Sequence, residues 1–346
     1  MESILFLAHT EADGLLGRAA LESLGAARAL AAGLAGSQMA VGLVGAEFQA
    51  AAGQIAGCGA ARVLGVAGPE FAQPRYSTDI LAVEALCRAA GATLVVAPAT
   101  SRWNRVMGGA AQRLEGRIDT HVTGLVLDGG IPSVTRWYYR QRIQATVRRT
   151  RRPWFILVES SCSQAWAGAA AAAAVEAVTV VPAPADTRTT VIGLRALPTD
   201  EQTIRPDAKL LFVAGAGWTK KQADGRVQAH EAERIILEFL GCTKASLGGT
   251  KSLVDLSGEG QAVLRFMSHL NQVGQTGSTP RHPKGLATCC HGEEPHTVGW
   301  RFIGERWAVN LNPACGWAQG KADVLYVADA FEVMREVNAL LGARRS

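Results

Sequence analysis

The chain has 346 residues, 48% of them hydrophobic, 19% charged and 6% aromatic, with a formal net charge of +5. That length divides most simply into two domains that each bury a core, and the apolar content excludes a wholly disordered chain. No run of about 20 apolar residues is free of charges, so no membrane-spanning helix is expected.

The N-terminal half alternates short apolar runs with Ala-rich helical patterns. Strands are predicted over Ser3–His9, Met39–Gly45, Ala61–Val66, Thr93–Ala97 and Asp119–Leu127, and helices over Leu15–Leu34, Phe48–Gly57, Ser77–Ala90 and Gly108–Leu114. Strand–helix alternation at this spacing predicts α/β architecture, a parallel sheet wrapped by helices. After Val134 the pattern changes. Thr135–Arg140, Ile143–Arg148 and Phe155–Glu159 read as neighbouring strands, Ala169–Ala174 as a buried or partner-facing helical turn, and Val180–Asp186 as a Pro-rich interdomain connector. A second α/β block starts near Asp207. Its strands are predicted over Lys209–Val213, Leu247–Gly249, Gly285–Cys290, Trp307–Leu311 and Val324–Val327, with helices over Val227–Leu240, Val263–Leu270 and Ala330–Leu341. The two domains are placed at 1–190 and 191–346.

Met1-Glu2-Ser3 leads straight into Ile4-Leu5-Phe6-Leu7 without the basic stretch of a secretory signal, so a cytoplasmic location is expected. The seven cysteines are odd in number, scattered and without a CxxC, which suits free thiols in a reducing compartment. Cys289-Cys290-His291 with His296 is the densest candidate metal group, but adjacent cysteines lack the spacer that one tetrahedral ion needs, and no metal is expected. Seven arginines fall between Arg136 and Arg152, among Trp137, Tyr138 and Tyr139. Such a segment suits a nucleic-acid groove, a solvated strand pair or a docking surface, and the weak charge elsewhere argues against nucleic acid.

Two glycine-bearing loops carry the candidate chemistry. Gly215-Ala216-Gly217 follows a predicted strand, where glycine permits the close backbone approach that a phosphate requires. It also suits a plain strand–helix connection, since a full GxGxxG is absent. Asn271-Gln272-Val273-Gly274-Gln275-Thr276-Gly277 packs amides, a hydroxyl and two glycines into one loop with little bulk. Such a loop offers donors to a planar heterocycle or a diphosphate.

Here the sequence resembles the alpha subunit of electron transfer flavoprotein. That family's G-A-S-R-A-A-V-D stretch falls on Gly248–Asp255 and its Q-V-G-Q-T-G loop on Gln272–Gly277. Its G-I-S-G-A-I-Q-H segment falls on Cys289–His296, where Gly292 and His296 are retained. I-N-K-D-P falls on Val309–Pro313 and A-D-Y-G-I-V-A-D-L-F on Ala322–Phe331. In the N-terminal half, Ala97-Pro98-Ala99-Thr100-Ser101 is similar to the family's A-P-A-T-S turn, and His121-Val122-Thr123 echoes a D-V-T.

The resemblance implies a C-terminal Rossmann-like, flavodoxin-like domain that binds FAD. The implied cofactor residues are Gly215, Gly217, Thr250, Lys251, Gln272, Val273, Gly274, Gln275, Thr276, Gly277, His291, Gly292, His296, Asn310 and Asp329. Among them Lys251, Thr276 and His296 would tune the flavin, Thr250 would reach the phosphates, and Asn310 and Asp329 would hold the adenosine end. No catalytic residue is implied, because the protein would be an electron carrier. The implied partners are a beta subunit carrying AMP, a flavin-dependent dehydrogenase as donor and a quinone reductase as acceptor. Ala216 replaces the family's arginine, Lys251 replaces another, and Glu293 and Glu294 enter a segment that the family keeps uncharged. These departures point to a divergent member with a shifted flavin potential. They also leave two further readings, an interaction subunit that has lost FAD and a thiol or metal enzyme built on Cys289, Cys290, His291 and His296.

Overall fold

The computed structural model describes residues 1–138, 143–193, 204–205, 207–256, 264–274, 279–288, 302–313 and 322–344. The chain folds as two compact units, one of Met1–Tyr139 with Ile143–Leu194 and one of Arg195–Ser346.

The first unit runs β1 (Ser3–His9), α1 (Arg18–Gly33), β2 (Gln38–Gly45), α2 (Gln49–Gln54), β3 (Arg62–Ala67), α3 (Pro69–Ala72), α4 (Tyr76–Ala90), β4 (Leu94–Pro98), α5 (Ser101–Arg113), β5 (Arg117–Asp128), β6 (Ile131–Tyr138), β7 (Ile143–Val147), β8 (Trp154–Val158) and β9 (Glu176–Ala177). These strands form one nine-stranded sheet in the order β7-β6-β5-β8-β4-β1-β2-β3-β9. All neighbours are parallel except β5–β6 and β6–β7. Because strand side chains alternate, Ile4, Phe6 and Ala8 bury one face against α1 while Leu5 and Leu7 bury the other against α4 and α5. Burial on both faces is why these strands read as unbroken apolar runs.

Several predictions need correction. Ala169–Ala174 is not helical: it is irregular and largely exposed, and the Ala171 N–H donates to the Gly53 carbonyl. Six alanines are too few for a stable helix without packing, and here the backbone bonds to a neighbouring element instead. The helix predicted over Gly108–Leu114 starts at Ser101, with Thr100 as N-cap accepting from the Trp103 N–H. Val180 packs on the core of the first unit, and the Ser77 hydroxyl donates to the Asp186 carbonyl, so the Pro-rich stretch docks there rather than hanging as a connector.

The described arginines of the Arg-rich stretch are matched by the chain's own carboxylates. Asp119, fully buried, accepts from Arg136 Nη1 at 2.8 Å, from Arg149 Nε and Nη2 at 2.9 Å each, and from Trp154 Nε1 at 2.9 Å. Burial opposes its charged form, but these bonds outweigh burial and hold the carboxyl below its usual range. Arg148 pairs with Asp128, and Arg152 with Glu2. Strands β5, β6 and β8 are thereby tied together through one buried carboxylate.

The second unit runs β10 (Leu210–Ala214), α6 (Ala229–Thr243), β11 (Ser246–Gly249), α7 (Lys251–Asp255), β12 (His282–Thr288), β13 (Ile303–Val309), β14 (Val324–Tyr326) and α8 (Ala330–Ala343). Its sheet is wholly parallel, in the order β11-β10-β12-β13-β14. Counted within this unit the order is 2-1-3-4-5, a doubly wound, flavodoxin-like topology. Phe212 and Ala214 face α6 and α8 through Ile235, Ile236, Phe239, Phe331 and Met334. Leu211, Val213, Val273, Ala287 and Ala308 fill the opposite face. Of the helix predicted over Val263–Leu270, the described part is a turn at Arg265–Phe266 and a 3-10 turn at His269–Asn271. The short helix α7 had no counterpart among the predicted elements.

Candidate cofactor site

In a 2-1-3-4-5 sheet the strand order reverses between the first and third strands, here β10 and β12, and ligands lie beyond the carboxyl ends of the strands there. The residues singled out by sequence that are described all sit at that end. Gly215 follows β10 and donates its N–H to the carbonyl of Thr288, the last residue of β12, at 2.8 Å. The 3-10 turn Ala216–Thr219 follows. It is pinned by Trp218, whose Nε1 donates to Thr288 Oγ1 at 2.9 Å and whose ring packs 4.5 Å from that of Phe331. Gly217 is thus held in place by β12 on one side and α8 on the other.

Beside β10, strand β11 ends in Gly249, and Thr250 turns the chain into α7. Thr250 is buried, its N–H donates to the Ala214 carbonyl, and its Oγ1 caps the Leu253 N–H. Lys251 opens α7, exposed, and pairs with Asp255 one turn on. Gln272 bridges Gly249 in parallel, and the Val273 N–H donates to the Gly249 carbonyl at 3.0 Å. The polar loop therefore starts as a continuation of the sheet edge. Gly274 takes φ +82°, a conformation that favours glycine, and donates to Thr279 Oγ1 at 2.7 Å. A Cβ on Gly248 would meet Val273 Cγ2 at 2.4 Å, so the close approach of strand and loop depends on that glycine.

At the same carboxyl end, on the β13–β14 side of the sheet, Asn310 follows β13 and Asp329 caps α8. Asn310 is buried, donates its N–H to the Tyr326 carbonyl at 3.1 Å, and donates Nδ2 to the Asn312 carbonyl. Asp329 accepts the Phe331 and Glu332 N–H groups, both on Oδ1. A cavity of about 300 Å³ brings Gly217, Asn310 and Asp329 together with Lys220, Lys221 and Gln222. Sequence reasoning missed the two lysines as site residues. The signal available was a Lys-Lys pair directly after a glycine turn at a strand end.

The structure thus makes two groups at one sheet end, Gly217–Asn310–Asp329 around the cavity and Thr250–Lys251 with Gln272–Gly274 beyond β11. The backbone bond from Thr250 to Ala214 places the second group next to Gly215. Gln275, Thr276, Gly277, His291, Gly292 and His296, and with them the Cys289-Cys290-His291 group, lie outside the described residues. Among the described residues no cluster of His, Cys, Asp and Glu could hold a metal ion. The cavity volume lies at the small end for a ligand pocket, and its lining combines two cations, two amides and a carboxylate. That donor set fits the nucleotide portion of a dinucleotide.

Two α/β units, the second with polar residues gathered at the carboxyl end of a doubly wound sheet, define a protein of the class that places ligands beyond its strand ends. Residues 4–185 match the electron transfer flavoprotein domain, more than half of the chain. The chain belongs to the electron transfer flavoprotein family, and the match coincides closely with the first unit. No curated protein matches it.

Proposed function

We propose that this chain is the FAD-holding alpha subunit of an electron transfer flavoprotein heterodimer, located in the cytoplasm. It would take electrons from a flavin-dependent dehydrogenase and pass them to a quinone reductase. The observation that carries the reading is the second unit itself: a parallel 2-1-3-4-5 sheet follows the family domain, and Thr250, Gln272–Gly274, Asn310 and Asp329 all stand at its ligand end. Among the described residues no helix is long and apolar enough to cross a membrane.

FAD, when bound, supplies the redox chemistry, and the side chains bind and tune it. Asn310 and Asp329 would take the adenosine end, Gly215, Gly217 and Thr250 the phosphates, and Gln272–Gly277 the ring system. Lys251, Thr276 and His296, with Gly292 and His291 nearby in sequence, would stabilise the build-up of negative charge on the ring with cations and N–H or O–H donors. Lys251 offers a point charge rather than a planar fork, and its pairing with Asp255 weakens that charge, so the flavin potential should differ from that of an arginine-bearing relative. The beta subunit would carry AMP, and the first unit is the surface proposed to meet it.

Ala216 in place of the family's arginine, with the altered 289–295 segment, favours a second reading, an interaction subunit that has kept the fold and lost FAD. Co-expression with a beta-like partner separates the two. A yellow complex with an oxidised-flavin spectrum, releasing FAD on denaturation, supports the carrier; a colourless complex supports the interaction subunit.

A further inference from the structure

We propose that Lys220 and Lys221 are the anion-holding residues of the second unit's cavity and grip the diphosphate of a dinucleotide. The inference rests on the flavin reading above and adds residues to it. Both lysines line the cavity shared by Asn310 and Asp329. Among the described residues neither makes an ion pair, whereas Lys251 and Lys284 are engaged by Asp255 and Glu305. Two cations beside one cavity, with no carboxylate pairing with them, mark a place for an anion.

The loop that carries them is built in advance. The Gln222 N–H donates to the Arg226 carbonyl at 2.9 Å, and Lys221 bridges Val227 in antiparallel fashion. Gln222 Nε2 donates to the Gly217 carbonyl at 3.0 Å and to the Lys220 carbonyl at 2.7 Å. The backbone under each ammonium is therefore fixed to the Gly217 turn, and ligand binding need not order it. The same lining includes Asp329, whose carboxylate opposes an anion but accepts from hydroxyl groups. A purely anionic ligand is disfavoured by Asp329 and a purely cationic one by the lysines. A nucleotide, with phosphates at one end and ribose hydroxyls at the other, satisfies both. Ala216 offers no charge at the same turn, so among the described lining residues the lysines are the cations available to the phosphates.

The test titrates FAD, ADP and adenosine into the full-length chain stripped of nucleotide, at 50 and 200 mM salt. The forms compared are the wild type, the double variant Lys220→Gln/Lys221→Gln and the double variant Lys220→Arg/Lys221→Arg. One or two charge-assisted bonds lost predict about 10- to 100-fold weaker FAD and ADP binding in the Gln variant. A flatter salt dependence, recovery in the Arg variant and unchanged adenosine binding are expected with it. FAD binding that is tight and equal in wild type and Gln variant overturns the lysine assignment and leaves the flavin reading standing. Lysine-dependent ADP binding without FAD binding keeps the assignment and removes the flavin. Binding of neither overturns both.

Discussion

His9 ends β1 with its ring 5.6 Å from that of Trp103 and only slightly exposed to water. Burial first, and the Arg102 guanidinium second, pull its pKa from 6.5 to about 4, against weaker opposite effects of the Thr10 carbonyl and Asp79. The unfolded chain takes up the proton near pH 6.5 while the folded chain stays neutral until about pH 4. The unfolded state thus binds more protons across that window, and stability falls as pH falls. Linkage gives a loss of about 2.5 kcal/mol between pH 7.5 and 4.5 from this one group. Glu11 is pushed up by burial and Asp13, so its contribution has the opposite sign and must be subtracted. Urea unfolding of the wild type and His9→Gln, followed by tryptophan fluorescence across pH 4.5–7.5, isolates the His9 share. As pH falls across that range, wild-type stability should drop by about 2.5 kcal/mol more than that of the variant. Parallel curves would refute the buried, neutral imidazole.

Replacing Asp119 by alanine strips one carboxylate from two arginines and a tryptophan, and should cost about 3–5 kcal/mol by urea unfolding. Gly248→Ala drives a Cβ into Val273 and should cost about 1–3 kcal/mol while weakening FAD affinity. Gly249→Ala clashes with the flexible end of Met267 and otherwise makes ordinary contacts, so it should be milder in thermal melts. Asp329→Ala removes the cap of α8 and should cost about 1 kcal/mol. Asp329→Ser keeps a capping oxygen, so near-normal stability with weakened ADP binding would separate the carboxylate's ligand role from its structural one.

The strands were legible because burial on both faces leaves apolar runs such as Ile4–Ala8 and Leu94–Ala97. Helix α5 extends seven residues before the predicted start at Gly108, because the Thr100 side chain caps it by accepting the Trp103 N–H. The place of β8 between β5 and β4 has no local signature, since pairing order depends on tertiary contacts and not on periodicity. The Ala run misled because alanine's helix propensity is small beside a backbone bond to a neighbouring element. Asn310 and Asp329 were found through motif resemblance, and the structure sets both on one cavity. Lys220 and Lys221 became visible only when the fold closed their loop over that same cavity.

A density map of the chain purified together with a beta-like partner and its flavin tests the central claim most directly. The account predicts an isoalloxazine against Gln272–Gly277, phosphates beside Lys220 and Lys221, and the adenosine between Asn310 and Asp329. A flavin lodged in the first unit, or side chains of this chain filling the space beyond β10 and β12, would contradict it.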